Sequence, residues 1–203
     1  MEIACASASK GRPREFCVDR ALAAALRVFW SKGYEGASLT DLTEAMGITR
    51  PSLYAAFGNK EALFRKALDL YEREKLAYVG EALAEPTARR VAERLLRGAL
   101  ANQANDCEPK GCLGVISSVA CGTEAESVRD EVIARRQSVH TALAQRFERA
   151  RQEGDLPAEI DPEGLTGYLG ALLQGLSVQA GSGASKEQLE ALVATSLAVW
   201  PSR

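Results

Sequence analysis

The sequence predicts an all-α fold: a three-helix helix-turn-helix head at residues 15–60 on a larger helical body at residues 61–203, preceded by a flexible basic arm at residues 1–14. Three observations carry this. Between Ser38 and Phe57 two short helices are punctuated by a glycine. From Leu63 to Trp200 apolar residues recur at intervals of three and four, the helical period. Breaks at Glu85-Pro86-Thr87, Asn105 to Gly122, Gly154-Asp155 and Gly181-Ser182-Gly183 then divide the body into separate helices. A chain of 203 residues allows one or two domains, and 46% hydrophobic with 26% charged residues describes a folded chain.

In chain order, Met1 to Gly11 is small and polar, and Lys10, Arg12 and Arg14 surround Gly11 and Pro13 in an arm suited to phosphates or a minor groove. Val18, Leu22, Ala25, Leu26 and Phe29, with Trp30 beside them, give the first helix an apolar face that Gly33 ends. Ser38 and Asp41 form a capping box, and Leu39, Leu42, Ala45 and Met46 follow at helical spacing. Gly47 closes that helix by taking the left-handed conformation. Thr49 caps the next one, and Pro51 sits in its first turn, where no intrahelical acceptor is lost.

With Ile48, Leu53 and Phe57 facing inward, this short helix presents Thr49, Arg50, Pro51, Ser52, Tyr54 and Ala55 outward. Arg50 can donate two hydrogen bonds to a guanine edge, and Thr49 and Ser52 can meet bases or phosphates. The alternative is an ordinary helical hairpin whose hydroxyl residues are only caps.

The run from Ala24 to Phe64 resembles the DNA-binding domain of the TetR family of bacterial repressors: an aromatic-ended helix, Gly33-Tyr34, Ser38 to Gly47, a short helix with Leu53, Tyr54 and Phe57, then Lys60-Glu61-Ala62-Leu63. About 50 residues carry the likeness closely. The resemblance implies a repressor that binds double-stranded palindromic operator DNA as a homodimer and answers to a small-molecule effector. Carried over at matching positions, Arg50, Pro51 and Ser52 meet base edges, while Ser38, Thr40, Thr49, Tyr54 and Lys60 position phosphates. Arg50-Pro51 departs from the Lys-Gly often found there, so no operator sequence transfers.

Asn59 caps a further helix bearing Leu63, Phe64, Ala67, Leu68 and Tyr71, whose pattern runs past Leu76 towards Val79 and so enters the body without a break. Thr87 caps a helix with Val91, Leu95, Ala99 and Leu100. Leu113, Val115, Ile116 and Val119 make a short apolar helix, and Val128, Val132, Val139, Leu143 and Phe147 form the inner face of a long one from about Glu124 to Glu153. The expected wall of an effector pocket is Leu95, Leu96, Ala99, Ile116, Val119, Val139, Leu143 and Phe147, each of which, taken singly, reads first as plain core.

Asp161 and Pro162 start the next helix, and Ser185 with Gln188 forms a second capping box. Leu165, Leu169, Leu172, Leu173 and Leu176, then Leu189, Leu192, Val193 and Leu197, are the expected dimer interface, where the family places it.

Charge is divided along the chain. Residues 1–60 carry eight Lys or Arg against six Asp or Glu, net +2, and residues 61–203 carry 17 against 21, net −4. Affinity for DNA must then come from a few placed contacts in each of two copies rather than from a basic tract. No apolar run reaches membrane-spanning length and no leader-like segment opens the chain, which reads as cytoplasmic. The single histidine, His140, stands beside no nucleophile at a catalytic spacing, so no enzyme and no cofactor is expected. Cys107, Cys112 and Cys121 have spacing poorly suited to zinc. They read first as small hydrophobes. Otherwise they form a redox or electrophile sensor, with Cys107 and Cys112 the pair that the Pro109-Lys110-Gly111 break could bring together.

Overall fold

The computed structural model describes residues 16–105, 107–119 and 125–201. Their helices are α1 (Val18–Gly36), α2 (Leu39–Met46), α3 (Arg50–Phe57), α4 (Lys60–Lys75), α5 (Ala77–Leu83), α6 (Ala88–Ala101), α7 (Leu113–Val119), α8 (Glu126–Gln152), α9 (Pro162–Gly181) and α10 (Lys186–Ala198). No strand occurs among the described residues. The basic arm and Cys121 lie outside them.

Local chemistry sets the helix ends. Ser38 accepts from the Asp41 amide while the Asp41 carboxylate accepts from the Ser38 amide, so two orphan N–H groups are met reciprocally. Ser185 and Gln188 repeat the arrangement at α10. Gly47, at φ 65°, closes α2, and Gly33, at φ 71°, kinks α1 before its last turn.

Two apolar cores organise the chain. The first joins Phe29, Trp30, Leu42, Leu53, Leu63, Phe64 and Tyr71, and it does not stop at residue 60: Leu113 of α7 and Val128 and Val132 of α8 belong to it. Phe64 meets the rings of Phe29 and Tyr34 edge-on, and Trp30 meets Tyr71 in the same way. Burying such a side chain is worth about 1.5–3 kcal/mol, so these rings hold α1 and α4 together. The second core packs α6, α8, α9 and α10 through Leu95, Leu96, Phe147, Leu169, Leu176 and Trp200.

One expectation is corrected. The helix leaving the head does not run on through Leu76. It breaks there, at φ −112° and ψ 9°, because the Asn102 amide donates to the Lys75 carbonyl and Val79 N–H turns back to Leu76. The apolar period continues across the break, so it could not report it. Two smaller departures concern facing: Ala45 is exposed, and Val139 is 40% exposed instead of pointing inward.

Candidate nucleic-acid interface and internal cavity

Helix α3 is anchored by Leu53 and Phe57, both buried, which leaves Thr49, Arg50, Pro51, Tyr54 and Ala55 exposed on one side. Tyr54 is a 47% exposed aromatic on this small face. The Thr49 and Ser52 hydroxyls lie 3.0 Å apart, and the Arg50 guanidinium donates to Thr40 Oγ1 at 2.9 Å. Arg50 is therefore held across the turn by α2. Lys32, which sequence reasoning passed over, donates to Asp41 at 2.6 Å. That bond, with those from Ser38, holds the Asp41 carboxyl far below the usual range. Lys60 stands 4.5 Å from the centroid of the Tyr34 ring, and partial burial lowers its ammonium pKa. Thr40 is thus joined to Arg50, and Thr49 to Ser52, across the turn, while Ser38 caps the start of α2 through Asp41 and Lys60 stands at the start of α4.

Behind the head is a cavity of about 430 Å³. Its wall runs from Leu68, Tyr71 and Glu72 on α4, through Tyr78 and Val79 on α5, to Ala99 on α6, Cys112 and Val115, Val139 and Leu143 on α8, and Leu173 on α9. Of the wall expected from sequence, Ala99, Val139 and Leu143 line it. Leu95, Leu96 and Phe147 are instead buried in the second core, and Ile116 packs against the head, 3.1 Å from where a Cβ on Gly33 would stand. The side chain of Val119 lies outside the described set. The same residue types line a core and a cavity, so pattern alone cannot separate the residues that face this cavity from those packed behind it.

The cavity wall touches the head directly. The Trp30 indole N–H donates to the Gly111 carbonyl at 3.2 Å, and the Gln103 side chain brackets Gly111 from the other side, donating to its carbonyl and accepting from its N–H. Arg135 of α8 reaches Asp69 and Glu72 on α4, while its neighbour Glu131 also accepts from Arg65.

Cys107 and Cys112 are both free thiols, not a bonded pair, and their settings differ. Cys107 is exposed, whereas Cys112 lines the cavity facing the Tyr71 hydroxyl. Cys17 is held in a disulfide. Among the described residues no group of His, Cys, Asp and Glu could hold a metal, and no helix is long and apolar enough to cross a membrane. His140 faces Glu163 at 3.5 Å.

Helices α9 and α10 turn Leu165, Leu169, Leu176, Leu189, Val193 and Leu197 into the chain's own core, with Leu172, Leu173 and Leu192 half-buried beside them. The outward face carries Gly167, Tyr168, Ala171, Gln174 and Val178 on α9 and Ala191, Ala194, Thr195 and Ala198 on α10, with Val199 just beyond it. Tyr168, Val178 and Val199 are 41%, 55% and 65% exposed, and a Cβ on Gly167, Gly170 or Gly175 would meet nothing within 4 Å.

A short helix held across a glycine turn, with arginine and hydroxyl groups outward and an apolar cavity behind it, defines a helix-turn-helix DNA-binding regulator. The sequence profile of bacterial regulatory proteins, tetR family, matches residues 21–67, and that of the tetracyclin repressor-like C-terminal domain matches residues 88–195. The chain belongs to the TetR family. It is 33% identical over 199 residues to the HTH-type transcriptional repressor ComR of Escherichia coli (strain K12), covering 97% of this chain and 95% of that protein. Among solved structures, a cysteine mutant of the TetR family regulator CifR in complex with 26-base-pair operator DNA is 44% identical, with a TM-score of 0.87 over 94% of this chain and all of that one. The reduced form of Escherichia coli NemR is 25% identical, with a TM-score of 0.66 over 87% of this chain and 93% of that one.

Proposed function

We propose that the protein is a ligand-responsive transcriptional repressor whose homodimer binds a palindromic operator and lets go when a small molecule fills the cavity. The carrying observation is that α4 does two things at once: its first turn supports the head through Lys60 and Phe64, and its last two turns, at Leu68, Tyr71 and Glu72, are cavity wall. A molecule that displaces Tyr71 or Gly111 moves α4 and α1 together, since Trp30 is fastened to both. A 100-fold preference for the non-binding state amounts to about 2.7 kcal/mol. Arg50, Pro51 and Ser52 read base edges in this proposal, and Ser38, Thr40, Thr49, Tyr54 and Lys60 hold phosphates. Two copies meet through the small-residue face of α9 and α10, because the leucines first assigned there are spent inside the protomer. The test selects a duplex from a randomised pool with the wild-type dimer, then compares it with Arg50→Ala and Tyr54→Ala by fluorescence anisotropy. Selection of no preferred sequence would sink the proposal.

A second reading of the trigger rests on Cys112, a thiol in the wall of an apolar cavity. An electrophile entering there is attacked by the Cys112 sulfur, which forms a carbon–sulfur bond while the thiol proton passes to the adduct. The relatives support it to this extent: CifR was solved as cysteine mutants, and NemR is described in a reduced form. Operator affinity of wild type, Cys112→Ser and Cys107→Ser after exposure to a quinone separates the readings. Loss of binding that vanishes only with Cys112→Ser favours this one, and an insensitive wild type removes it.

A further inference from the structure

Helix α6 carries a glycine in its interior, where alanine is the better helix former. The reason is Tyr78. A Cβ on Gly98 would come within 2.8 Å of three atoms of the Tyr78 ring, so the ring lies in a notch that only glycine leaves open. Seated there, Tyr78 lines the cavity beside Cys112 and Tyr71. The Tyr71 hydroxyl is engaged with Cys112 and the Leu113 main chain. The Tyr78 hydroxyl makes no hydrogen bond among the described residues.

Most other polar groups of the wall are committed to the protein itself. Asn102 serves the Lys75 carbonyl, Gln103 serves Gly111, and the Thr166 and Ser177 hydroxyls return to their own helix. Glu72 is paired with Arg135. Arg136, Gln137 and Gln174 are exposed at the rim, Arg136 donating to Ser118, and His140 Nδ1 stands 3.5 Å from Glu163 without a hydrogen bond. Ile133 and Val139, 48% and 40% exposed, also border the cavity and make that side apolar.

We propose that Tyr78 is the recognition residue of this cavity, and that the effector is an uncharged, mainly apolar molecule carrying a hydrogen-bond acceptor such as a ketone or ester oxygen. The inference rests on the cavity being the effector site. A carboxylate or ammonium group would surrender its hydration inside a wall whose interior charges are already neutralised, which weakens its binding. A neutral oxygen loses little and gains the Tyr78 O–H. Burial pushes both phenols up, so each keeps its proton and donates.

The experiment titrates the full-length protein with 2-octanone, octanoate and octylamine by isothermal calorimetry, then repeats the 2-octanone titration on Tyr78→Phe and Gly98→Ala. The ketone is expected to bind at least about tenfold more tightly than either ion, and Tyr78→Phe, which keeps the ring in its notch, to weaken it about fivefold, the worth of one neutral hydrogen bond. Gly98→Ala drives the ring into the cavity and should abolish binding; if that variant does not fold, Tyr78→Phe still decides. Tighter binding of octanoate or octylamine, no binding of the ketone, or equal affinity for wild type and Tyr78→Phe would each overturn the proposal. Operator anisotropy on the same samples tells the two readings apart. Octanoate that binds more tightly and releases operator ends the neutral-effector proposal and leaves the ligand-responsive repressor intact. A ketone that binds through Tyr78 without affecting operator does the reverse.

Discussion

Arg50 is the side chain on which selectivity is expected to turn, and its setting explains how. The bond to Thr40 Oγ1 fixes a long side chain before any duplex arrives, so part of the ordering cost of binding is met in the free protein. Arg50→Ala should weaken selected operator by roughly 1–3 kcal/mol and random duplex by less. Equal losses on both would reassign Arg50 to a phosphate. Thr40→Val keeps the volume and removes the acceptor, and should give a smaller loss of the same kind in the same anisotropy titration. Tyr71 supplies a second residue-level prediction, on pH. Its phenol is 2% exposed and burial raises its pKa, whereas in the unfolded chain it ionises near 10. Above that pH the unfolded state sheds a proton that the native state keeps, so stability falls as pH rises. The slope is about 1.4 kcal/mol per pH unit for this one group. Urea midpoints measured from pH 8 to 11 should therefore decline at the alkaline end, and less steeply for Tyr71→Phe.

Helices were legible wherever their ends are local chemistry. Ser38 with Asp41, Ser185 with Gln188, Asp161 before Pro162 and Gly47 declare themselves within four residues, and each cap stands where the spacing put it. What was not legible is which side of an apolar helix meets a neighbour. Helix α9 is leucine-rich on one side and glycine-, alanine- and valine-lined on the other, and only its packing against α6 and α8 decides that the leucines go inward. The break at Leu76 was hidden for the same reason, since Asn102, the residue that takes the Lys75 carbonyl, is 27 positions away. Two tests belong at this scale. Ser38→Ala removes one half of a capping box and should cost about 1 kcal/mol in urea denaturation. Arg135→Ala leaves Asp69, Glu72 and Glu131 facing one another between α4 and α8, and should destabilise the protein by about 1–2 kcal/mol, with partial recovery in high salt as repulsion is screened. A loss that salt does not touch would mean that the lost packing of the arginine stem dominates.

For the whole molecule, the prediction is assembly. Ala171→Arg with Val178→Asp puts bulk and charge on the open face of α9 without touching its core side, and should yield monomers in sedimentation velocity that bind operator at least about tenfold more weakly. Dimers that persist in that variant would move the interface elsewhere. The head carries a further consequence. Among the described residues of the head, Lys32 is engaged by Asp41, Lys60 by the Tyr34 ring and Arg50 by Thr40, on a chain whose net charge is −2. Loose attraction to arbitrary DNA scales with the number of phosphates neutralised, so a head of net charge +2 is expected to hold it weakly. Such a molecule is expected to spend little time creeping along the chromosome. It is expected to travel through solution, sample many sites briefly and stay only where the shape and edges of the duplex fit side chains already held in place. The speed with which a promoter is silenced again after the signal fades is then set by how many copies the cell keeps free.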